Sequence, residues 1–354
     1  MIPEWLRLVW FDSLGAKSSS ILIDVGRHRI LVDPGVAVMH PSFPAPWEAK
    51  IAWAKEGYGA VLDAARNADI VVITHYHYDH FTDFDPRLYR GKTLIAKDPN
   101  RYINDSQRKR ALSFYSRYFS ELLGAGLEDR FMPPREEEYP DPMEALAEAS
   151  SRDYGEYAER RRQLLARGRK WFRRRAENWS RHPRIPEVQG EGGSLLFADG
   201  RTVEAGEARL RFTQPLFHGV EYSRVGWVVA LTVETPGFKL LYTSDLNGPV
   251  IEDYAHMIID ENPDVLVLDG PPTYLLGYTV NRINLERAID NAVRILEEAG
   301  RLSLVIYDHH LVREPRYRER TRRVWERAEK LGIRLATAAE LAGRVPAVLQ
   351  FTGS

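Results

Sequence analysis

A short apolar run, Ile70-Val71-Val72-Ile73, passes almost directly into His75-Tyr76-His77-Tyr78-Asp79-His80. The run is β-branched and does not alternate with polar residues, which predicts a buried strand. Three imidazoles and one carboxylate therefore leave a strand end and enter a loop. Such a spacing cannot aim every side chain at one point from a regular helix or strand. From a turn it serves two neighbouring points, which suits a pair of metal ions in one pocket. Neutral imidazole with carboxylate favours zinc or a similar first-row ion. The competing reading is a solvated polar loop, but the chain has only ten His and three of them lie here.

Cysteine is absent, so disulfides, thiolate ligands and cysteine nucleophiles are excluded together, and any metal site must use His, Asp and Glu. The 354 residues permit one large domain or two modest ones, and 44% hydrophobic with 28% charged residues describes a globular chain with a sizeable core. No apolar run is long enough to span a bilayer, and Met1-Ile2-Pro3-Glu4-Trp5 lacks the regions of a signal peptide, so a cytoplasmic location without membrane attachment is expected. Of 49 basic residues, 9 are Lys and 40 are Arg, a thermophile-like composition when joined to zero Cys. A net charge of −1 gives no global pull toward nucleic acid.

Strands are expected at 6–11, 20–24, 29–33, 70–73, 194–197, 208–217, 226–233, 239–243, 265–268 and 302–307. Helices are expected from Pro46 toward Tyr58, from Asn284 to Ala299 and from about Pro315 to Leu331. Between Pro99 and Pro186 apolar residues recur at helical spacing, which reads as a helical insertion. The segment from Arg152 to Arg184 holds 12 basic and 4 acidic residues. The order of elements predicts two packed sheets flanked by helices. The domain division is 1–99 as a first half, 100–186 as an insertion over the site's rim, and 187–354 as a second half.

A two-ion site needs more donors than the cluster supplies, and the further ones should also sit at strand ends. His218 follows Pro215-Leu216-Phe217, Asp245 follows Leu241-Tyr242-Thr243-Ser244, and Asp308-His309-His310 follows Leu304-Val305-Ile306-Tyr307. Singly, a His after a strand is commonly structural and an Asp a cap. Jointly, four strand ends delivering donors to one rim is the arrangement a metal pocket requires.

His75-x-His77-x-Asp79-His80 resembles the signature of the metallo-β-lactamase fold superfamily, and His218, Asp245 and His309 match its later ligand motifs in order. Leu31-Val32-Asp33-Pro34-Gly35 resembles its first motif, whose Asp supports the metal site. Asp12-Ser13-Leu14-Gly15 and Asp308-His309-His310-Leu311-x-Arg313 carry a closer similarity to an archaeal group of predicted metallohydrolases. The resemblance implies an α/β fold, a four-layer αββα sandwich carrying a helical insertion. It implies two divalent ions, zinc first and manganese or iron as alternatives. His75, His77 and His218 would hold one ion, Asp79, His80 and His309 the other, and Asp245 would bridge them. His310 is the alternative to His309, while Asp79, His310 and Arg313 are the candidates for catalysis. His77 stands where the flavodiiron branch has Glu. Absent Cys and present Asp245 differ from a true β-lactamase zinc site.

The expected activity is hydrolysis by metal-activated water of an anionic substrate, a phosphate ester or phosphodiester that includes nucleic acid. One alternative is a lactone or carboxylic ester hydrolase for a small anionic metabolite. Another is a nucleic-acid-binding protein with a structural metal site. Arg160-Arg161-Arg162, Arg167, Arg169-Lys170 and Arg173-Arg174-Arg175, with Trp171, Phe172 and Trp179, would grip phosphates and stack bases. The competing reading is a solvated helix whose Arg pair with Asp153, Glu156, Glu159 and Glu177. Lys17 and Ser18-Ser19-Ser20 are expected in a loop bordering the pocket, more as a turn than as a direct participant.

Overall fold

The computed structural model describes residues 2–190 and 192–351. Residues 6–197 supply one seven-stranded sheet from β1 (Leu6–Phe11), β2 (Ser19–Asp24), β3 (Arg29–Val32), β4 (Ile70–Ile73), β5 (Thr93–Ala96), β6 (Val188–Gly190) and β7 (Gly193–Phe197), in the order β1-β2-β3-β4-β5-β7-β6. The second half supplies β8 (Thr202–Ala205), β9 (Ala208–Phe212), β10 (Leu216–Phe217), β11 (Trp227–Val228), β12 (Leu231–Glu234), β13 (Lys239–Tyr242), β14 (Val265–Asp269), β15 (Leu304–Asp308) and β16 (Arg334–Ala336). A second seven-stranded sheet runs β16-β15-β14-β13-β12-β9-β8, and β10 pairs with β11 apart from it.

Alternation along the strands explains the four layers. Ile30, Val32, Ile70 and Val72 share one apolar core with Leu240, Tyr242, Val265, Val267, Leu304 and Ile306 of the other sheet. Their neighbours Leu31, Val71, Ile73, Leu241, Leu266 and Val305 enter a different core with the helices. A strand with one face on the partner sheet and the other under helices must be apolar at every position, as Ile70–Ile73 is. Helices Trp47–Arg66, Glu252–Glu261 and Arg282–Glu298 are among those that cover the outer faces.

The pairings β3·β4, β4·β5, β13·β14, β14·β15 and β15·β16 are parallel. The β5·β7 pairing is parallel as well. A parallel pair needs a crossover connection, and most of the 100–186 segment is that crossover. It contains helices Asp105–Leu122, Ala147–Ser151 and Ala158–Arg181. No helix among the described residues is long and apolar enough to cross a membrane.

Several expected boundaries move. The helix opening after Pro46 continues past Tyr58 to Arg66. The run 208–217 breaks at Thr213–Pro215 into β9 and β10, because the Pro215 ring has no N–H to give a ladder. The 315–331 helix is two pieces, Tyr317–Arg320 and Arg322–Leu331. Ser19 and Ser20 lie in β2, and the hydroxyls of Ser18 and Ser20 donate to the carbonyls of Gly35 and Val32, which makes that serine run structural.

Candidate metal centre

Strand ends bring the expected donors together. β4 stops at Ile73, and Thr74 then ties the chain to Asp33 at the end of β3. The Asp33 carboxylate accepts from the Thr74 amide at 2.8 Å, the Thr74 hydroxyl at 2.6 Å and the Tyr242 hydroxyl at 2.8 Å. The following loop turns sharply, with His80 and Phe81 amides both donating to the His77 carbonyl. That turn lies directly on Gly35, where an added Cβ would stand 2.4 Å from the backbone nitrogens of His80 and Phe81. Tyr76 points away from the site into the core, donating to the Lys97 carbonyl.

Three overlapping donor groups result. The first joins His75, His77, His218 and Asp245, the second joins Asp79, His80 and His309, and a third joins Asp245, His309 and His310. His75 Nε2 lies 3.0 Å from His77 Nδ1 and 3.4 Å from Asp245 Oδ2, and His218 Nε2 lies 3.0 Å from the same oxygen. The other carboxylate oxygen faces the second group, with Asp245 Oδ1 at 2.9 Å from His80 Nε2 and 3.3 Å from His309 Nε2. Asp79 Oδ2 is 3.8 Å from His309 Nε2. Asp245 thus presents one oxygen to each of the first two groups.

The tautomers follow from the partners behind the rings. His80 Nδ1 lies 2.7 Å from Asp33 Oδ2, and His309 Nδ1 lies 3.0 Å from Asp12 Oδ1. A neutral ring that gives its Nδ1 hydrogen to a carboxylate carries a lone pair on Nε2. The Nε2 atoms of His80 and His309 then face each other at 3.1 Å, lone pair to lone pair. Among the described residues, both oxygens of Asp245 and both ring nitrogens of His218 are buried without a well-directed hydrogen bond, and the groups close to the carboxylate are imidazole nitrogens at 2.9–3.4 Å. A buried unpaired carboxylate is costly, and a cation between these atoms relieves each conflict. Ligand bonds of about 2.0–2.1 Å around zinc place neighbouring donors roughly 3.3 Å apart, close to the spacing here. The residues fit divalent metal ions.

Electrostatics divide the imidazoles. Burial, with His80 beside it, depresses His75 to about 4. Burial also acts on His80, but the carboxylates of Asp245 and Asp33 outweigh it and push that ring up to about 10. Without an ion His80 is therefore protonated at neutral pH, and the neutral form with its lone pair on Nε2 is the one a metal ion would select by displacing that proton. Backbone conformation is unusual at the same places, since Asp33, Ser244 and His309 all have positive φ. Such strain concentrates where side chains must be re-aimed.

His310 stands beside this centre. Its Nδ1 lies 3.0 Å from Asp269 Oδ1, and its ring centroid is 6.1 Å from that of His218. Arg313 is held internally by Asp12 and also donates to Asp79 at 3.3 Å and to the Tyr274 hydroxyl at 3.2 Å. Asp12 and Asp269, which orient His309 and His310, are site residues that sequence reasoning does not single out. Their signal is the one that marks the ligands, a carboxylate at a strand end.

The insertion approaches the centre through Gln107, whose Oε1 accepts from the Tyr76 amide and whose Nε2 is 3.4 Å from His77 Nε2. Helix Ala158–Arg181 packs Trp171 flat on Trp227 at 5.4 Å. Phe172 and Trp179 are buried at 3% and 2% exposure, so the expectation that they stack bases is corrected: they are core. Among the acids expected to pair within the helix, Glu159 meets Arg162, whereas Arg161, Arg169 and Arg175 reach out of the helix to Glu221, Asp141 and Asp105.

The family model of the metallo-beta-lactamase superfamily matches residues 15–97. A UPF0282 protein of Methanopyrus kandleri is 30% identical over 357 residues, covering 96% of this chain and 94% of that relative. A UPF0282 protein of Aeropyrum pernix is 29% identical over 353 residues, covering 98% and 95%. One solved structure, the metallo-beta-lactamase fold protein YhfI from Bacillus subtilis, aligns over 94% of each chain at 14% identity with a TM-score of 0.42.

Proposed function

Since this chain belongs to the UPF0282 family and has the metallo-β-lactamase fold, we propose that it is a hydrolase using two divalent ions. The observation that carries this reading is Asp245, buried at 1% exposure with one oxygen toward each of the first two donor groups. His75, His77 and His218 would hold one ion, Asp79, His80 and His309 the other, and Asp245 both. His309 takes the last position because its Nε2 faces Asp245 and His80, while His310 is turned onto Asp269. The thiol-free donor set favours zinc, with manganese or iron as alternatives. When bound, such ions supply Lewis acidity and acidify water toward neutral pH.

The chain's own groups do the rest. Asp79 Oδ2, anchored by Arg313, orients the attacking water and takes its hydrogen bond. His310, with its Nδ1 hydrogen on Asp269, presents a basic Nε2 that takes a proton from the attacking water and returns it to the leaving oxygen. Residues 100–186 cover the rim, supported by Gln107 and Trp171. The cations Lys17 and Arg313 near Asp79 favour an anionic substrate, a phosphate ester or phosphodiester. The buried aromatics of the insertion remove one support for a nucleic-acid substrate.

Elemental analysis of purified protein, followed by a panel of phosphomonoesters, phosphodiesters, oligonucleotides and lactones, tests this reading. About two ions per chain and phosphoester cleavage are expected. Protein that takes up no zinc, manganese or iron overturns it, and cleavage of lactones alone replaces the substrate class.

A further inference from the structure

A cavity of about 690 Å³ opens beside Arg313. Its wall is built from Lys17, from Met39 and Phe43 in the Pro-rich segment after β3, from Leu275 and Tyr278 after β14, and from Arg313 after β15. None of its lining residues lies in the 100–186 insertion. The volume is that of a pocket for a small organic molecule. Arg313 connects it to the metal centre, being 3.3 Å from Asp79 through one guanidinium nitrogen while lining the cavity.

The wall has an apolar side and a charged side, and the one acidic group that lines it, Glu314, is paired with Arg320. Met39 and Phe43 are buried at 2% and 4% exposure, and Tyr278 stands 88% exposed at the lip. Against this apolar side lies Lys17, a half-buried cation whose ammonium makes no hydrogen bond or close ion pair among the described residues, the carboxylates of Asp79 and Asp12 acting on it only at longer range. Arg313 uses one donor each on Asp12, Asp79 and Tyr274. A guanidinium has five N–H groups, so donors remain for a ligand. An unpaired, partly desolvated ammonium next to an apolar wall asks for an anion attached to an apolar body.

We propose that this cavity is the substrate pocket and that the substrate is a small amphipathic anion. Its phosphate or carboxylate lies on Lys17 and Arg313, and its aryl or alkyl body lies against Met39, Phe43, Leu275 and Tyr278. This rests on the hydrolase reading for the word substrate, but the binding it requires is independent of turnover. A ligand held wholly within this volume is a small molecule, which is the substrate class the proposal names.

The test is calorimetric titration of the full chain with phenylphosphonate, methylphosphonate and benzoate, with metal loaded and after chelation. Phenylphosphonate is expected to bind at least tenfold more tightly than methylphosphonate in both states. Benzoate distinguishes a carboxylate site from a phosphoryl site by which acid binds more tightly. Tyr278→Ser, at an exposed position that leaves folding intact, should erase most of the phenyl preference. Lys17→Gln should weaken both phosphonates about equally, by tenfold or more. Equal binding of the two phosphonates, or variants within twofold of wild type, overturns the pocket. Failure to bind metal overturns the hydrolase reading alone, because the phenyl preference of the chelated protein still decides whether the pocket binds.

Discussion

Asp12 Oδ1 lies 3.0 Å from His309 Nδ1, joining residues 297 positions apart. The contact fixes the tautomer of a candidate ligand from a loop that belongs to the other sheet. Removal of such a supporting carboxylate costs roughly 10–100-fold in metal affinity. Asp12→Ala is therefore expected to hold one ion firmly and the second at least tenfold more weakly. Competitive titration with a zinc indicator checks this, and two undisturbed high-affinity sites would count against it.

Asp245 and His218 should behave differently from each other. Asp245→Ala removes an oxygen from the first and second donor groups and is expected to lower metal content to well under one ion per chain and abolish hydrolysis. His218→Ala touches only the first group and should retain about one ion. Metal-to-protein ratios after dialysis separate the two outcomes.

Gly35 has no room for a side chain, since a Cβ would press on the His77–Phe81 turn at 2.4 Å. Gly35→Ala should lose about 1–3 kcal/mol of stability, the usual range for overpacking. Urea denaturation measures the loss. Unchanged stability would mean that the turn moves freely, against the tight placement of His80.

Trp179 donates its indole N–H to the Ile103 carbonyl at 2.9 Å and is almost wholly buried. Trp179→Ala is expected to cost about 3–5 kcal/mol. It should leave any RNA affinity of the folded protein within twofold. A selective loss of RNA binding without destabilisation would restore a base-stacking role for this ring.

Asp85 supplies a pH-dependent term away from the metal centre. Hydrogen bonds from the Arg87 side chain, then from Tyr58 and the Arg87 amide, outweigh burial and hold its carboxyl at about 2 against an ordinary 3.8. A depressed folded value gives stability that is complete above the unfolded value and fades as pH falls through the folded one. Wild type should exceed Asp85→Asn in stability above about pH 4, and the gap should close toward about pH 2. A gap that stays constant down to that pH would refute the assignment.

The donors were legible because their signal is local. An apolar strand followed by His or Asp is visible in a few adjacent letters at 70–80, 215–218, 241–245 and 304–310. What orients them was not, because Asp12 meets His309 and Asp269 meets His310 only after strands from distant segments are stacked. The preference proposed for His309 over His310 is of the same kind, since it rests on contacts with Asp245, His80 and Asp269 that only the folded chain makes. Short strands also escaped. Thr93–Ala96 and Arg334–Ala336 are strands of four and three residues, too brief for a period to register. Phe172 and Trp179 carried a readable warning, since positions seven apart lie on one helix face and mark a core stripe.

The Tyr242 hydroxyl reaches Asp33 across the core between the sheets, and Asp33 holds His80. Neither half of the chain therefore owns a finished binding site. The loops that separate residue 75 from residue 309 must all be closed before the carboxylate of Asp245 meets its imidazoles. Affinity for metal is consequently a gauge of tertiary completeness. An ion that binds here acts as a clasp on the last step of assembly, drawing together two sheets that are otherwise joined mainly by oil-like contact.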